Sequence, residues 1–148
     1  MTRICGSIEI RRPVEEVFDF VADQRNELSY NPKTTESVKL TEGPIGVGAR
    51  FRATVLSAGR SLPMVIEYTG FDRPHRLASR SVMTGSVVAG EVCCHPGPRG
   101  IRFTWEWDVR VSGPARFAGP LIGWIGRREE RSIRTGLQRH LEGKAGAS

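Results

Sequence analysis

The chain has 148 residues, 39% of them hydrophobic and 26% charged, a balance that excludes wholesale disorder and fits a single domain. A chain of this length buries roughly two-thirds of its unfolded surface, so it needs no disulfide or metal to hold one core together. The net charge of +6 raises the question of an anionic partner, while no apolar run approaches the length of a membrane span.

Ile4 to Ile10 favours a strand, with Ile4, Gly6, Ile8 and Ile10 on one face. Pro13 then suits the first turn of a helix, with Glu15 and Glu16 beside its positive end. Val14, Val17, Phe18 and Val21 continue at helical spacing to a stop near Asp23. Gln24 to Pro32 reads as a second short helix or an ordered loop, ended by Asn31-Pro32. From Lys33 to Val111 the pattern is a succession of strands. Ser37 to Thr41 leads into the turn Gly43-Pro44-Ile45-Gly46. Phe51, Ala53 and Val55 alternate with polar residues, a turn spans Ser57 to Ser61, and Met64, Ile66 and Tyr68 alternate again before Asp72-Arg73-Pro74. Leu77 to Val82 and Val87 to Cys94 form a pair about Thr84-Gly85, and His95 to Gly100 reads as a loop. Ile101, Phe103, Trp105, Trp107, Val109 and Val111 then share one face of a long strand. Strands joined by short turns make an antiparallel meander. Gly119-Pro120 precedes a helix predicted over Pro120 to Glu142, about 33 Å long at 1.5 Å per residue. Its apolar stripe steps by four: Phe117, Leu121, Ile125, Ile133, Leu137 and Leu141, with Glu129 in the gap. Gly143 to Ser148 is a small-residue tail.

A sheet with one apolar face must bury it, and the C-terminal helix is the only element large enough to do so. A twisted sheet curls about such a helix and leaves space between them, where small-molecule pockets are commonly found.

Several segments also resemble the START-like (SRPBCC, helix-grip) superfamily, in its polyketide cyclase/dehydrase-like branch. They are Ser7 to Ile10, Pro13 to Asp23, Tyr30-Asn31-Pro32, Gly43-Pro44 with Gly46 and Gly48, Asp72-Arg73-Pro74, Thr104-Trp105-Glu106-Trp107 and Leu137 to Glu142. The resemblance spans nearly the whole chain in order. It implies an α+β helix-grip fold, a curved antiparallel sheet of about seven strands around a long C-terminal helix, as one domain over residues 1–148. It does not choose among lipid carriers, hormone receptors, aromatase/cyclases, coenzyme Q-binding proteins and ribosome-associated toxins.

The candidate ligand contacts are Tyr30, Phe51, Ile66, Tyr68, Val92, Trp105, Trp107, Leu121, Ile125 and Glu129. Each aromatic residue serves equally as core, and Tyr68 needs a partner for its hydroxyl if buried. The resemblance sets Tyr30 near a cavity mouth, though a loop anchor fits it as well. Glu129 falls within the apolar arc of the helix, where a carboxylate is paired, protonated or facing a cavity; the alternative is a local turn that takes it to solvent or to a neighbouring arginine. His75, His95 and His140 lack metal-ligand spacing and suit surface positions. Cys5, Cys93 and Cys94 read as small apolar fillers in a reducing compartment, with Cys93 and Cys94 on opposite faces. Arg127, Arg128, Arg131, Arg134 and Arg139, interleaved with Glu129, Glu130 and Glu142, read as a solvated helix face or a basic patch. No catalytic constellation, metal site or cofactor motif is expected. The N-terminus lacks a signal-peptide core, so a cytoplasmic monomer or homodimer is expected.

Three functions follow. The first is a carrier or sensor of an apolar molecule such as a lipid, isoprenoid or polyketide. The second is a cyclase or dehydratase that moves protons through Glu129 or Tyr68. The third is an interaction protein whose basic helix meets ribosomal or other RNA.

Overall fold

The computed structural model describes residues 2–57, 59–83, 85–98, 100–111 and 136–142. Seven strands form one antiparallel sheet: β1 (Thr2–Ile10), β2 (Thr34–Lys39), β3 (Arg50–Ser57), β4 (Arg60–Asp72), β5 (Arg76–Met83), β6 (Ser86–Gly97) and β7 (Gly100–Val111). Their order is β1-β7-β6-β5-β4-β3-β2, so β2 to β7 are a meander and β1 returns to the far edge beside β7. Helix α1 (Val14–Ala22), a 3-10 turn (Gln24–Asn26) and the single-turn α2 (Glu27–Tyr30) link β1 to β2. A helical segment over 136–142, here α3, closes over the sheet with Leu137 and Leu141 buried. This is the helix-grip architecture. The predicted helix before residue 136, with Phe117, Leu121, Ile125, Glu129, Ile133 and the basic residues up to Arg134, lies outside the described residues, as does the tail from 143.

The strands follow the alternation of their sequences. In β1, Ile4 and Ile10 are buried while Arg3, Cys5, Ser7 and Glu9 are exposed. In β7, Ile101, Phe103 and Trp105 are buried, and Arg102, Glu106 and Arg110 are exposed. The opposite, outward face is laced by ion pairs: Arg50–Glu67 at 2.7 Å, Arg52–Glu36 at 2.9 Å, Arg3–Asp108 at 3.2 Å and Arg76–Glu91.

Three local expectations change. His95, Pro96 and Gly97 are not loop but continue β6, opposite Arg102, Ile101 and Gly100. β5 pairs with β6 only as far as Cys93, so this end of β6 has a free side, where proline is tolerated. The turn expected over Ser57 to Ser61 is tighter, with β4 already begun at Arg60 and Gly59 at φ +77°. Pro13 occupies the position before α1 rather than its first turn, and its carbonyl accepts the Val17 N–H at 3.1 Å.

A register shift between Tyr68 and Gly70 has consequences for the core. Strict alternation from Tyr68 sends Phe71 outward. The bulge inserts one residue and turns Phe71 inward, opposite Leu77, where its ring meets Phe18 edge-on at 5.3 Å.

Candidate ligand-binding site

Register aligns the inward residues of neighbouring strands into rows. One row runs Gly6, Trp105, Val92, Leu77 and Phe71; the next runs Ile4, Trp107, Gly90, Ser79 and Tyr68. Each inward tryptophan therefore stands opposite a glycine on one side. At Gly90 the choice is forced, because a Cβ there would lie 1.9 Å from the Glu106 carbonyl oxygen and 2.9 Å from the Trp107 Cα. Gly90, Ser79, Ser81 and Ser86 give the middle of the concave face a floor of small side chains. Trp105 and Trp107 rise on one flank, with Phe51, Ile66 and Tyr68 on the other.

Burial along this face is graded. Towards α1 and α3 the inward residues are packed: Ile10, Phe51, Tyr68 and Cys94 are each at most 1% exposed. Towards the β3–β4 and β5–β6 turns they open, so that Val55, Met64, Ser81, Met83, Val88, Trp107 and Val109 are half-buried and Leu62 is 36% exposed. The concave face is thus a closed core at one end and an accessible apolar surface at the other.

At the closed end, polar groups are held by the helices. The Tyr68 hydroxyl donates to the Ala22 carbonyl at the end of α1 and accepts from Gln24 Nε2 at 3.1 Å. Burial pushes its pKa up. Asn31, 2% exposed, donates through Nδ2 to Glu27 Oε1 at 2.8 Å and accepts the Lys33 N–H at 3.0 Å, which pins α2 to the start of β2. The Glu27 carboxyl is raised from its ordinary value by burial, against the opposing pull of Asn31 and Thr34. Burial and the nearby Glu27 likewise raise Tyr30. The Tyr30 ring lies 5.8 Å from Phe20, which stacks on His140 of α3 at 5.1 Å. A Cβ on Gly136 would fall 2.2 Å from the Tyr30 carbonyl oxygen, so α2 and α3 touch backbone to backbone. α3 is further tied down by Gln138 Nε2 donating to the Glu9 carbonyl at 3.0 Å and by Glu142 accepting the Arg11 N–H at 3.3 Å.

Of the sequence-derived contacts, Phe51, Ile66, Tyr68, Val92 and Trp105 are buried on the concave face, Trp107 is half-buried beside them, and Tyr30 sits at the α2–α3 junction. Leu121, Ile125 and Glu129 lie outside the described residues. Glu27, Gln24 and the small-residue floor were not anticipated. Glu27 sits in a polar stretch with no periodicity, whereas Ser79 and Ser81 did carry a signal as alternate small residues in a strand. His140 is half-buried with its ring stacked on Phe20, while His75 and His95 are exposed. The filler role holds for Cys94, buried with its thiol pushed up to about 12, but Cys5 is exposed on the outer face. Among the described residues no group of three or more histidine, cysteine, aspartate or glutamate side chains is placed to hold a metal, and no helix is long and apolar enough to cross a membrane.

The family model described as polyketide cyclase / dehydrase and lipid transport matches residues 1–142. The chain belongs to that family. Solved structures agree on the fold. A protein from Thermus thermophilus is 15% identical, with a TM-score of 0.83 over 96% of this chain and 98% of its own. A START superfamily protein from Mycobacterium smegmatis is 15% identical, with a TM-score of 0.83 over 97% of this chain and 99% of its own. The Zhui aromatase/cyclase from Streptomyces sp. R1128 is 16% identical, with a TM-score of 0.78 over 97% of this chain and 94% of its own. At these identities the likeness shows the fold alone. No curated protein matches the chain in sequence.

Proposed function

We propose that the protein binds an apolar small molecule against the concave face of the sheet, beneath the C-terminal helix, as a carrier or sensor. The observation that carries this reading is the gradient of burial along that face. Core packing ends part-way along the strands, and Val55, Leu62, Met64, Met83, Val88, Trp107 and Val109 continue as an apolar lining that other described side chains leave half-open. A ligand burying about 300 Å² of apolar area there gains roughly 7.5 kcal/mol before the cost of immobilising it.

The cyclase or dehydratase reading keeps one supporting feature, the buried Glu27 carboxyl within electrostatic reach of Tyr30 and Tyr68. In that reading it would exchange a proton with a substrate folded against the tryptophans. The nucleic-acid reading rests on the basic C-terminal helix, of which Arg127, Arg128, Arg131 and Arg134 lie outside the described residues.

Native mass spectrometry of protein purified from its own host tests the leading reading. A retained apolar ligand of constant mass is expected. Repeated recovery of empty protein, with no thermal shift across lipids, isoprenoids and polyketides, refutes it. Turnover of a polyketide substrate that Glu27→Gln abolishes without weakening binding would move the assignment to the enzyme.

A further inference from the structure

Trp105 is 7% exposed, and its indole nitrogen Nε1 is buried without a hydrogen-bond partner among the described residues. An indole N–H only donates, and leaving such a group buried and unpaired is costly, so native structures nearly always supply it with an acceptor. The contrast with Tyr68 on the same face is informative, because that hydroxyl is served both as donor and as acceptor by α1 and the turn after it. Tyr68 is a finished structural anchor, whereas Trp105 is a donor still open.

Trp105 stands opposite Gly6 on β1 and Val92 on β6, neither of which carries a side-chain acceptor. Its inward neighbours along β7 are the buried Phe103, whose ring lies 5.8 Å away, and the half-buried Trp107, where the open part of the apolar lining begins. Among the described residues the one arginine or lysine at an inward position on β1 or on β4 to β7 is the exposed Arg60, at the turn end of β4 beyond Leu62.

We propose that the molecule held on the concave face carries a neutral oxygen acceptor, a ketone, ester or ether, that receives the Trp105 indole N–H. This rests on the apolar-ligand reading and sharpens it: the ligand is an oxygenated apolar molecule rather than a hydrocarbon. The acceptor fixes the orientation of the ligand, and the rest of the face supplies affinity.

The test uses two probes of nearly equal shape, 2-acetylnaphthalene and 2-isopropenylnaphthalene, which differ in C=O against C=CH2. Their dissociation constants are measured by calorimetry, and the indole N–H signals of the three tryptophans are followed by NMR. The ketone is expected to bind about 5- to 10-fold tighter, although partition from water favours the hydrocarbon. The Trp105 indole proton should shift downfield with the ketone alone, and Trp105→Phe should bring the two affinities within about twofold. If Trp105→Phe does not fold, the indole signal of the unsubstituted protein, assigned through Trp107→Phe and Trp124→Phe, decides the matter. Equal affinities with an unmoved Trp105 signal overturn the inference and leave the apolar-ligand reading standing, as does a ketone preference that survives in Trp105→Phe. Failure of both probes to bind overturns both.

Discussion

Replacing Gly136 with alanine places a methyl group 2.2 Å from the Tyr30 carbonyl oxygen and 3.3 Å from its carbon. Carbon–oxygen contacts settle at about 3.3 Å, so α2 and α3 must part by about 1 Å. The obstructing atom is backbone, held by the Asn31–Glu27 hydrogen bonds, and no flexible side chain is available to yield. Overpacking of this kind costs about 1–3 kcal/mol, and a backbone obstacle places it near the upper end. Alanine returns about 1 kcal/mol in helix propensity. The balance is a loss of about 2 kcal/mol, which in a chain of this size lowers Tm by roughly 4–8 °C. Gly46→Ala is the control, because a Cβ there meets nothing within 4 Å. Thermal unfolding followed by circular dichroism measures both. If Gly136→Ala unfolds at or above the temperature of the parent while Gly46→Ala does the same, the close junction of α2 with α3 is refuted.

Tyr68→Phe removes the donor to the Ala22 carbonyl and the acceptor of Gln24, and should cost about 1–3 kcal/mol in chemical denaturation; an unchanged midpoint would show that water replaces both bonds without loss. Glu27 has its carboxyl raised in the folded state, so the fold holds more protons than the unfolded chain, and stability falls as pH rises from the unfolded carboxyl pKa through the raised one. Glu27→Gln should therefore be more stable than the parent at a mildly alkaline pH of about 8, with the gain vanishing at about pH 4. A gain independent of pH contradicts this. Cys5, exposed on β1, should react with a maleimide in the native protein, while Cys94, buried and with its thiolate disfavoured, should react only on unfolding; mass spectrometry of the labelled peptides reads the order.

The alternation of β1, β3 and β7 was legible because strand geometry maps sequence parity directly onto the two faces of the sheet. Phe71 escaped this logic, since one bulge residue between Tyr68 and Gly70 reverses parity downstream of it. Pairing partners escaped for a related reason. That Trp105 meets Gly6 and Trp107 meets Gly90 depends on register, set by the long-range pairing of β1 with β7 in the first case and by the β6–β7 hairpin in the second, and single-strand patterns encode neither. Leu137 and Leu141 were visible as a four-step stripe, but the glycine immediately before them gave no sign that it abuts Tyr30. The raised carboxyl of the half-buried Glu27 arises when α2 docks beside β2 and brings it against Asn31 and Thr34, a tertiary event within a stretch whose local sequence looks solvated.

The ionisable groups divide sharply between the two sides of the sheet, and the division bears on what the site is built to hold. On the outer face, arginines and carboxylates form ion pairs, as at Arg50–Glu67 and Arg52–Glu36. On the inner side, Glu27, Tyr30, Tyr68 and Cys94 are all shifted towards their neutral forms, in each case with burial as the leading cause. A site for proton-transfer chemistry ordinarily separates its groups, pushing one pKa up while a neighbouring charge or hydrogen bond holds another down. These four shifts run together, so the groups resist negative charge, while Asp23 beside them, whose charge acts on Tyr68, is held down by its hydrogen bond with Arg25. Such an interior disfavours an anionic intermediate, and it makes the carrier or sensor reading physically simpler than the cyclase. Activity of a Glu27-dependent cyclase would require substrate binding itself to break this uniformity, detectable as a carboxyl pKa of Glu27 that falls on complex formation; an unchanged or further raised value by NMR titration would leave Glu27 as a buried structural acid.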